Sequence, residues 1–380
     1  MKNRSKIHPL VQLIPRDKFD ALCEKWSMDK GVTRFQTWEQ TCALILVHVL
    51  RLESYREIES TLGIARSTFA DANSKRAHGF FEELCEVILS EIKLKTTSRK
   101  VRKAIKNVLA IDSSECRVHG GLFDFAPEYA RERGALGKKA GLKLHTVWRV
   151  DEEWVEDFRI TPAKRCDNPV AKQFKILANH TYVFDRGYGN IGFWWKIMQT
   201  KSDFVTRLKC HQISEKELLK GVELSKDGVL IDTIWRPSEG AFYLHKEVDK
   251  QTVFRHVIFR DPETRKVFHF VTSNFDAAAE EIAGVYKKRR SNELHNRWLK
   301  GHLNIRYFAV KKLNAVKTLM AIAVLIRLLV QLHKLARDLD QTAWETLREL
   351  RMTALRQSLI GMGFCPDCRW SSARRAAISA

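Results

Sequence analysis

The chain has 380 residues, enough to bury complete cores in two or three structural units. Lys and Arg outnumber Asp and Glu by 66 − 45 = 21 along the whole length, a field that favours a polyanion. No basic amphipathic anchor, apolar leader or membrane span is read from it, since the apolar stretch Met320 to Leu332 is broken by Arg327. Eight scattered cysteines (23, 42, 85, 116, 166, 210, 365 and 368) suggest reduced thiols in a cytosol. Only Cys365 and Cys368 have metal-ligand spacing, and a single such pair is a weak zinc signal.

Residues 8 to 94 carry helical periodicity almost throughout: Phe19 to Trp26, Trp38 to Leu52, Tyr55 to Leu62, Thr68 to Ala77 and Phe80 to Ile92. The segment from Ser54 to Arg76 reads as helix, glycine turn at Gly63, helix, with Ser54 and Ser67 as candidate caps. A helix-turn-helix-like module of this kind would present Arg66, Asn73, Lys75 and Arg76 to DNA, so residues 1–94 are expected to form a helical DNA-binding domain. A plain helical hairpin fits the same pattern. A basic linker over 95–106, the end of the dense run from Lys93 to Lys106, follows.

From Asn107 short apolar runs replace the helical pattern: Val108 to Ile111, Lys143 to Val150, Trp154 to Ile160, Thr181 to Phe184 and Phe204 to Leu208 are expected strands, with helices near 168–179 and 189–200. This is an α/β core over 107–210, and its element order resembles the ribonuclease-H-like nuclease fold. Residues 211–273 read as a β-rich insertion with strands at Val229 to Trp235, Ala241 to Val248, Thr252 to Arg260 and Lys266 to Thr272. The core resumes over 274–336 with a helix from Asp276 to Lys300, capped by Asn274 or Asp276, and a closing apolar helix from Leu313 to Ala336. A C-terminal helical segment and tail occupy 337–380.

Two aspartates, Asp112 and Asp185, each follow a buried strand run, where a rigid element delivers a side chain to a cleft. At about 100° per residue, Tyr286, Arg289 and Lys300 fall at roughly +20°, −40° and −20° from Glu293 on one helix face. Singly each residue has a plainer reading: a turn or cap for the aspartates, a solvated ion pair for the glutamate. Together they make an all-oxygen set suited to Mg²⁺, with Mn²⁺ as substitute, and a two-ion arrangement serves phosphoryl transfer. Ser113 and Ser114 lack the His/Asp pattern of a serine nucleophile, and His119 and His145 read as surface or strand histidines.

These residues carry a resemblance to the bacterial insertion-sequence transposases of the DDE type, in the insertion-sequence-four family. That group's Y-x2-R-x3-E-x6-K signature is matched without gap by Tyr286, Arg289, Glu293 and Lys300. AIDSSE and the later GLKLH at 141–145 are similar to the first-aspartate region, and the segment from Tyr182 to Lys209 to the second. The resemblance spans about residues 5 to 335 and implies Asp112, Asp185 and Glu293 as metal ligands, with Tyr286, Arg289 and Lys300 on phosphates of the cleaved end. It implies a bacterial, nucleoid-associated cytoplasmic enzyme that cuts double-stranded terminal inverted repeats and joins 3′ ends to target DNA, working as a homodimer. Departures are Arg290, where relatives carry Trp, and His295 and Asn296, where they carry aromatic residues. Arg297 and Trp298 are further candidate DNA contacts; Trp298, Trp194 and Trp195 suit base stacking, although core packing is the commoner use of each. Two other readings use the same features: a transposase-derived DNA-binding regulator without catalysis, and a metal-dependent nuclease or resolvase that cleaves without joining.

Overall fold

Periodic apolar spacing over the first hundred residues is realised, among those the structure describes, as six helices: α1 (Pro9–Gln12), α2 (Arg16–Lys25), α3 (Thr37–Leu50), α4 (Tyr55–Leu62), α5 (Arg66–Lys75) and α6 (His78–Lys95). The computed structural model describes residues 8–96, 107–122, 124–125, 140–208, 228–303, 307–308 and 310–361, with backbone alone at 307–308 and 354–361. The basic linker, Cys210, Cys365 and Cys368 lie outside the described residues, apart from the linker's first two positions. Contacts divide the chain into two units, Met1–Thr96 with Ala321–Ala380, and Thr97–Met320.

In the helical unit, Phe19 meets Trp38 edge-on at 5.0 Å and Phe80 at 5.4 Å, and Leu84, Ile88 and Ile92 extend that core along α6. Ser54 caps α4 by accepting the Glu57 amide at 3.2 Å, and Gly63, with φ of 67°, supplies the left-handed turn that stops it. Ser67 does not cap α5. That helix starts one residue earlier, after Ala65, with no side-chain cap.

The long helix α12 (Leu313–Arg337) changes units at Ala321, and α13 (Ala343–Gly361) follows it into the helical unit. The closing helix therefore does not belong wholly to the α/β core as its position in the chain suggests. Its residues from Ala321 to Val330 are buried almost without a break, and at 1.5 Å per residue a 25-residue helix outruns one small core. The Cys85 thiol sits 3.5 Å from the Ala321 carbonyl, His8 Nε2 is 3.3 Å from the Leu350 carbonyl, and Arg351 Nε donates to the Val49 carbonyl at 2.6 Å. By length and composition α12 could cross a membrane, but protein covers its apolar surface.

Among the described residues the second unit is built on one nine-stranded sheet. Its strands are β1 (Val108–Val118), β2 (Ala140–Arg149), β3 (Trp154–Pro162), β4 (Thr181–Phe184), β5 (Asp203–Arg207), β6 (Val229–Trp235), β7 (Phe254–Arg260), β8 (Val267–Thr272) and β9 (Tyr307–Phe308). The order is β3-β2-β1-β4-β5-β8-β7-β6, with β9 beside β1. Strand β2 runs antiparallel to both β1 and β3, β1, β4 and β5 are parallel, and β8, β7 and β6 continue as an antiparallel meander. The described part of the 211–273 segment is thus a continuation of the same sheet, joined where Val205 of β5 pairs with Thr272 of β8. Within it, Ala241 to Val248 is not a strand: α9 (Glu239–Leu244) forms, burying Phe242 and exposing Tyr243 and Leu244.

Helices α7 (Asp167–Ala171) and α8 (Ile191–Met198) cover one face of the sheet. There Leu109, Ile111, Val147, Phe174, Phe184 and Phe193 share one core. Trp194 belongs to that core, stacked on Phe204 at 4.9 Å, and Trp195 packs against it; neither is free to stack on a base. The expected single helix from Asp276 to Lys300 forms as α10 (Ala279–Lys288) and α11 (Arg290–His302). Its start is set by Ala278, whose amide donates to Glu281 at 3.0 Å, while Asn274 closes the preceding turn by accepting the Asp276 and Ala277 amides.

Candidate active site

Strand β1 does not end at Asp112; it runs on to Val118. What ends there is one side of its ladder. Parallel pairing with β4 stops at Ile111↔Phe184, and β9 meets β1 only at Arg117↔Tyr307. Among the described residues, 112 to 116 thus have no ladder partner on that edge, and Asp112 stands at the start of the gap. Asp185 is the first residue past β4, so the two aspartates are neighbours across a parallel ladder, about one strand spacing of ~4.8 Å apart in register. This is the carboxyl end of adjacent parallel strands, where α/β sheets place their ligand sites.

Asp185 Oδ1 accepts the Arg186 amide at 2.8 Å, capping the short turn Arg186–Tyr188, and lies 3.4 Å from the Tyr286 hydroxyl, which donates to it. Arg289 sits at the joint of α10 and α11, where Arg289 donates its amide to the Tyr286 carbonyl and Asn292 its amide to the Arg289 carbonyl. These three-residue spacings tighten the helix locally. Arg289 Nη1 is 3.9 Å from Asp112 Oδ1, and its Nη2 donates to Glu293 Oε1. The guanidinium also lies 5.7 Å from the Tyr286 ring centre. Its Nε is buried without a hydrogen-bond partner among the described residues.

The charges act on one another. Burial pushes the Asp112 carboxyl up to about 6; Arg289 and the Ser113 amide pull the other way, and Glu293 and Asp185 add to the rise. Burial opposes the charge of Arg289, yet Tyr286, Glu293 and Asp112 hold it above the usual arginine value. The structure therefore gathers Asp112, Asp185, Tyr286, Arg289 and Glu293 at one cleft. Lys300, two turns beyond Glu293 on α11, is half-buried and close enough to β1 for its charge to offset part of the burial effect that lifts the Cys116 thiol to about 11.

Two residues at this cleft escape the sequence pattern. Asn292 is fully buried: its Nδ2 donates to the Ala110 carbonyl at 2.9 Å and its Oδ1 accepts from the Thr146 hydroxyl at 3.0 Å. It thereby clamps the helix of Glu293 across β1 and β2. Arg207, at the end of β5, lies 4.9 Å from the Phe268 ring centre and 6.0 Å from that of Tyr286. A signal for Arg207 was its place at a strand end beside the second-aspartate segment; Asn292 had none beyond its position one residue before Glu293. His295 and Asn296, the departures from the signature, are buried, and His295 stacks on Trp148 at 4.2 Å.

The other expected DNA contacts separate into two groups. Asn73 is buried and accepts from Gln40 at 2.7 Å, and Arg76 is buried with donations to Gln40 at 2.9 Å and the Phe35 carbonyl at 2.6 Å. Both spend their polar groups inside the helical unit. Arg66 and Lys75 are exposed, paired with Glu59 at 2.7 Å and Asp71 at 3.0 Å. Arg297 is exposed, and Trp298 is half-buried with its ring 5.8 Å from His302. Ser113 donates to Asp167 and Ser114 is buried, so neither is poised as a nucleophile.

The donor set at the cleft is entirely carboxylate oxygen, which suits a hard divalent cation. Among the described residues no three acidic, histidine or cysteine groups converge at metal-binding spacing; the Arg289 guanidinium lies between Asp112 and Glu293 and supplies positive charge there. The donor chemistry and the mutual repulsion acting on Asp112 both fit a cation drawing the three acids together.

Residues 103–329 match the transposase DDE domain, and residues 3–69 match a domain of unknown function, DUF4372. A putative transposase, y4zB, of Sinorhizobium fredii is 29% identical over 75% of this chain and 76% of its own. The probable transposase for insertion sequence element IS5377 of Geobacillus stearothermophilus is 27% identical over 80% and 78%. The solved piggyBac transposase synaptic complex with hairpin DNA superposes with a TM-score of 0.54 over 97% of this chain and 84% of that one, at 12% identity, a likeness of fold. Matched over more than half its length, the chain belongs to the DDE-domain transposase family and is a DNA transposase, an enzyme of DNA cleavage and strand transfer that works with divalent metal ions.

Proposed function

We propose that the chain is a cut-and-paste transposase of the insertion-sequence-four branch, with a ribonuclease-H-like core whose ligand trio is Asp112, Asp185 and Glu293. One observation carries this reading: the neighbouring strand positions of Asp112 and Asp185, faced by a glutamate helix that Asn292 fixes to the same strands. Two Mg²⁺ ions, replaceable by Mn²⁺, would stabilise the attacking and leaving oxygens of a phosphoryl transfer when bound. The protein's own share is positional. Tyr286 and Arg289 sit beside the acids, and charge-assisted donors of this kind suit phosphate oxygens. Lys300 adds charge further along the same helix, and Arg297 and Trp298 extend the contact outward.

The helical unit is the DNA-reading part of this proposal. Arg66 and Lys75 face outward from α5, and Lys75 lines a groove of about 530 Å³ with the exposed Lys30 and Arg34 and with Trp26. A groove with cations on its rim accepts a sugar-phosphate backbone. Two ends of an element must be held together for joining, so the working form is a homodimer on terminal inverted repeats and target DNA.

The test uses the purified full chain, labelled terminal repeats, a target plasmid and Mg²⁺. Excision of both strands with 3′ ends joined to the plasmid is expected. Cleavage with no joined product would sink the cut-and-paste reading in favour of a nuclease, and binding with neither product would favour a regulator.

A further inference from the structure

We propose that Asp167 is a positioning residue that fixes the spacing between Asp112 and Asp185 from behind the sheet. This rests on the reading of those two aspartates as metal ligands. Asp112 and Ser113 are consecutive on β1, so their side chains leave opposite faces of the sheet. Asp112 faces Arg289; Ser113 faces α7, where its hydroxyl donates to Asp167 Oδ1 at 3.2 Å. The same oxygen accepts from Lys143 Nζ at 3.0 Å and lies 3.7 Å from His145 Nδ1. Lys143 also donates to the Arg165 carbonyl at 3.2 Å, and His145 Nε2 meets the Thr161 hydroxyl at 2.9 Å.

The second attachment is to the turn after Asp185. A methyl group built on Gly187 would stand 3.6 Å from Asp167 Oδ2, an ordinary van der Waals distance, so this carboxylate faces the backbone two residues past Asp185. One side chain therefore accepts a hydrogen bond from the residue after Asp112 and faces the turn after Asp185. It is tied to β2 by a lysine whose side chain is only 10% exposed. A buried Lys–Asp pair is a poor source of net stability, because desolvation offsets its attraction. It is a good source of fixed geometry, and partners one shell behind metal ligands orient them.

The experiment measures Mn²⁺ binding to the full chain by the electron paramagnetic resonance of the free ion. End-DNA binding in chelator and thermal unfolding are measured in parallel. Asp167→Asn keeps the size and removes the charge; it is expected to weaken Mn²⁺ binding by about 10- to 100-fold while leaving end-DNA affinity in chelator unchanged. Ser113→Ala, a smaller change that keeps the buried ion pair, carries the test if Asp167→Asn fails to fold, with an expected weakening of at least about threefold. Mn²⁺ affinity within twofold of wild type in a folded variant overturns the inference. Complete loss, equal to that of Asp112→Asn, also overturns it, because Asp167 would then be a ligand itself. If Asp112→Asn and Asp185→Asn both leave Mn²⁺ binding intact, the ligand reading fails first, and the positioning role with it.

Discussion

Arg76 and Arg289 are both arginines drawn into the protein, and they are used in opposite ways. In the helical unit, Arg76 spends its guanidinium on Gln40, the Phe35 carbonyl and Asp29, and burial pulls it below the usual arginine value. At the cleft, Arg289 is surrounded by Tyr286, Glu293 and Asp112, which hold it above that value, and its Nε has no partner among the described residues. The first is satisfied by neutral groups and one acid, as a structural arginine is. The second lies among acids that repel one another without it. A group with donors to spare amid crowded like charges is what a site awaiting a phosphate and a cation looks like.

The largest effect should come from the acids themselves. Asp185→Ala and Glu293→Ala are each expected to cut end cleavage by at least about a thousandfold, several kcal/mol of lost metal-assisted stabilisation. End-DNA binding in chelator should persist, and a gel-shift with a cleavage assay reads both. Cleavage within tenfold of wild type would remove that residue from the ligand set.

Next in size, exchanging the two arginines for alanine should give crossed results. Arg289→Ala should lower strand transfer by about a hundredfold, beyond the modest loss of stability that follows from leaving the acids unscreened. Arg76→Ala strands the Phe35 carbonyl and Gln40 in a buried setting and should cost about 2 kcal/mol of unfolding free energy, with the catalytic rate of the folded fraction unaltered. If both variants lose only stability, the contrast drawn between the two sites collapses.

How far the sequence foretold these sites depends on where a residue's role is written. Thr181–Phe184 and Val229–Trp235 fold as read, because an apolar run bounded by polar or turn residues has one good use in a sheet. The run Asp112 to Arg117 is polar and hid its strand. Its conformation comes from six register pairs with β2, which local pattern does not encode. Ala241 to Val248 alternates like a strand, yet Ala241 to Leu244 buries Phe242 alone, and a short helix does that equally well. Tyr286, Arg289 and Glu293 were legible through their spacing, which survives the local tightening at Arg289 because two three-residue bonds rotate the face only slightly. Asn73 and Arg76 were misread as outward, since polar side chains carry no mark of which helix face turns in. Asn292 and Asp167 stayed hidden for the same reason: each works through partners more than 50 residues away, Thr146 and Ser113.

A smaller effect follows from the raised Asp112 carboxyl. Its folded value of about 6 exceeds the ordinary 3.8, so the fold favours the protonated acid. In chelator that preference contributes stability in full below about pH 4, and the contribution is lost as pH rises through about 6. Asp112→Asn, which cannot ionise, should match wild type near pH 4 and exceed it at pH 7 to 8 by on the order of 3 kcal/mol. Denaturant melts across that range decide it. Equal stabilities at pH 8 would mean that Arg289 neutralises Asp112 fully, which would bring the cleft arginine closer to the structural kind.

The smallest expected change tests the outward cations against Arg76 in the same unit. Lys30 and Arg34 are exposed on the rim of the groove that Lys75 also lines, whereas Arg76 forms part of its wall with its guanidinium already engaged. If the groove follows a DNA backbone, Lys30→Ala and Arg34→Ala should each reduce the slope of log affinity against log salt by roughly 0.9, one phosphate contact apiece. The loss should be the same for end DNA and for unrelated duplex, because phosphates carry no sequence. Arg66→Ala, further along α5, offers a second reading: a loss confined to end DNA would assign it to base edges instead. Unchanged slopes for Lys30 and Arg34 would leave the groove as ordinary solvated surface and move DNA recognition elsewhere on the helical unit.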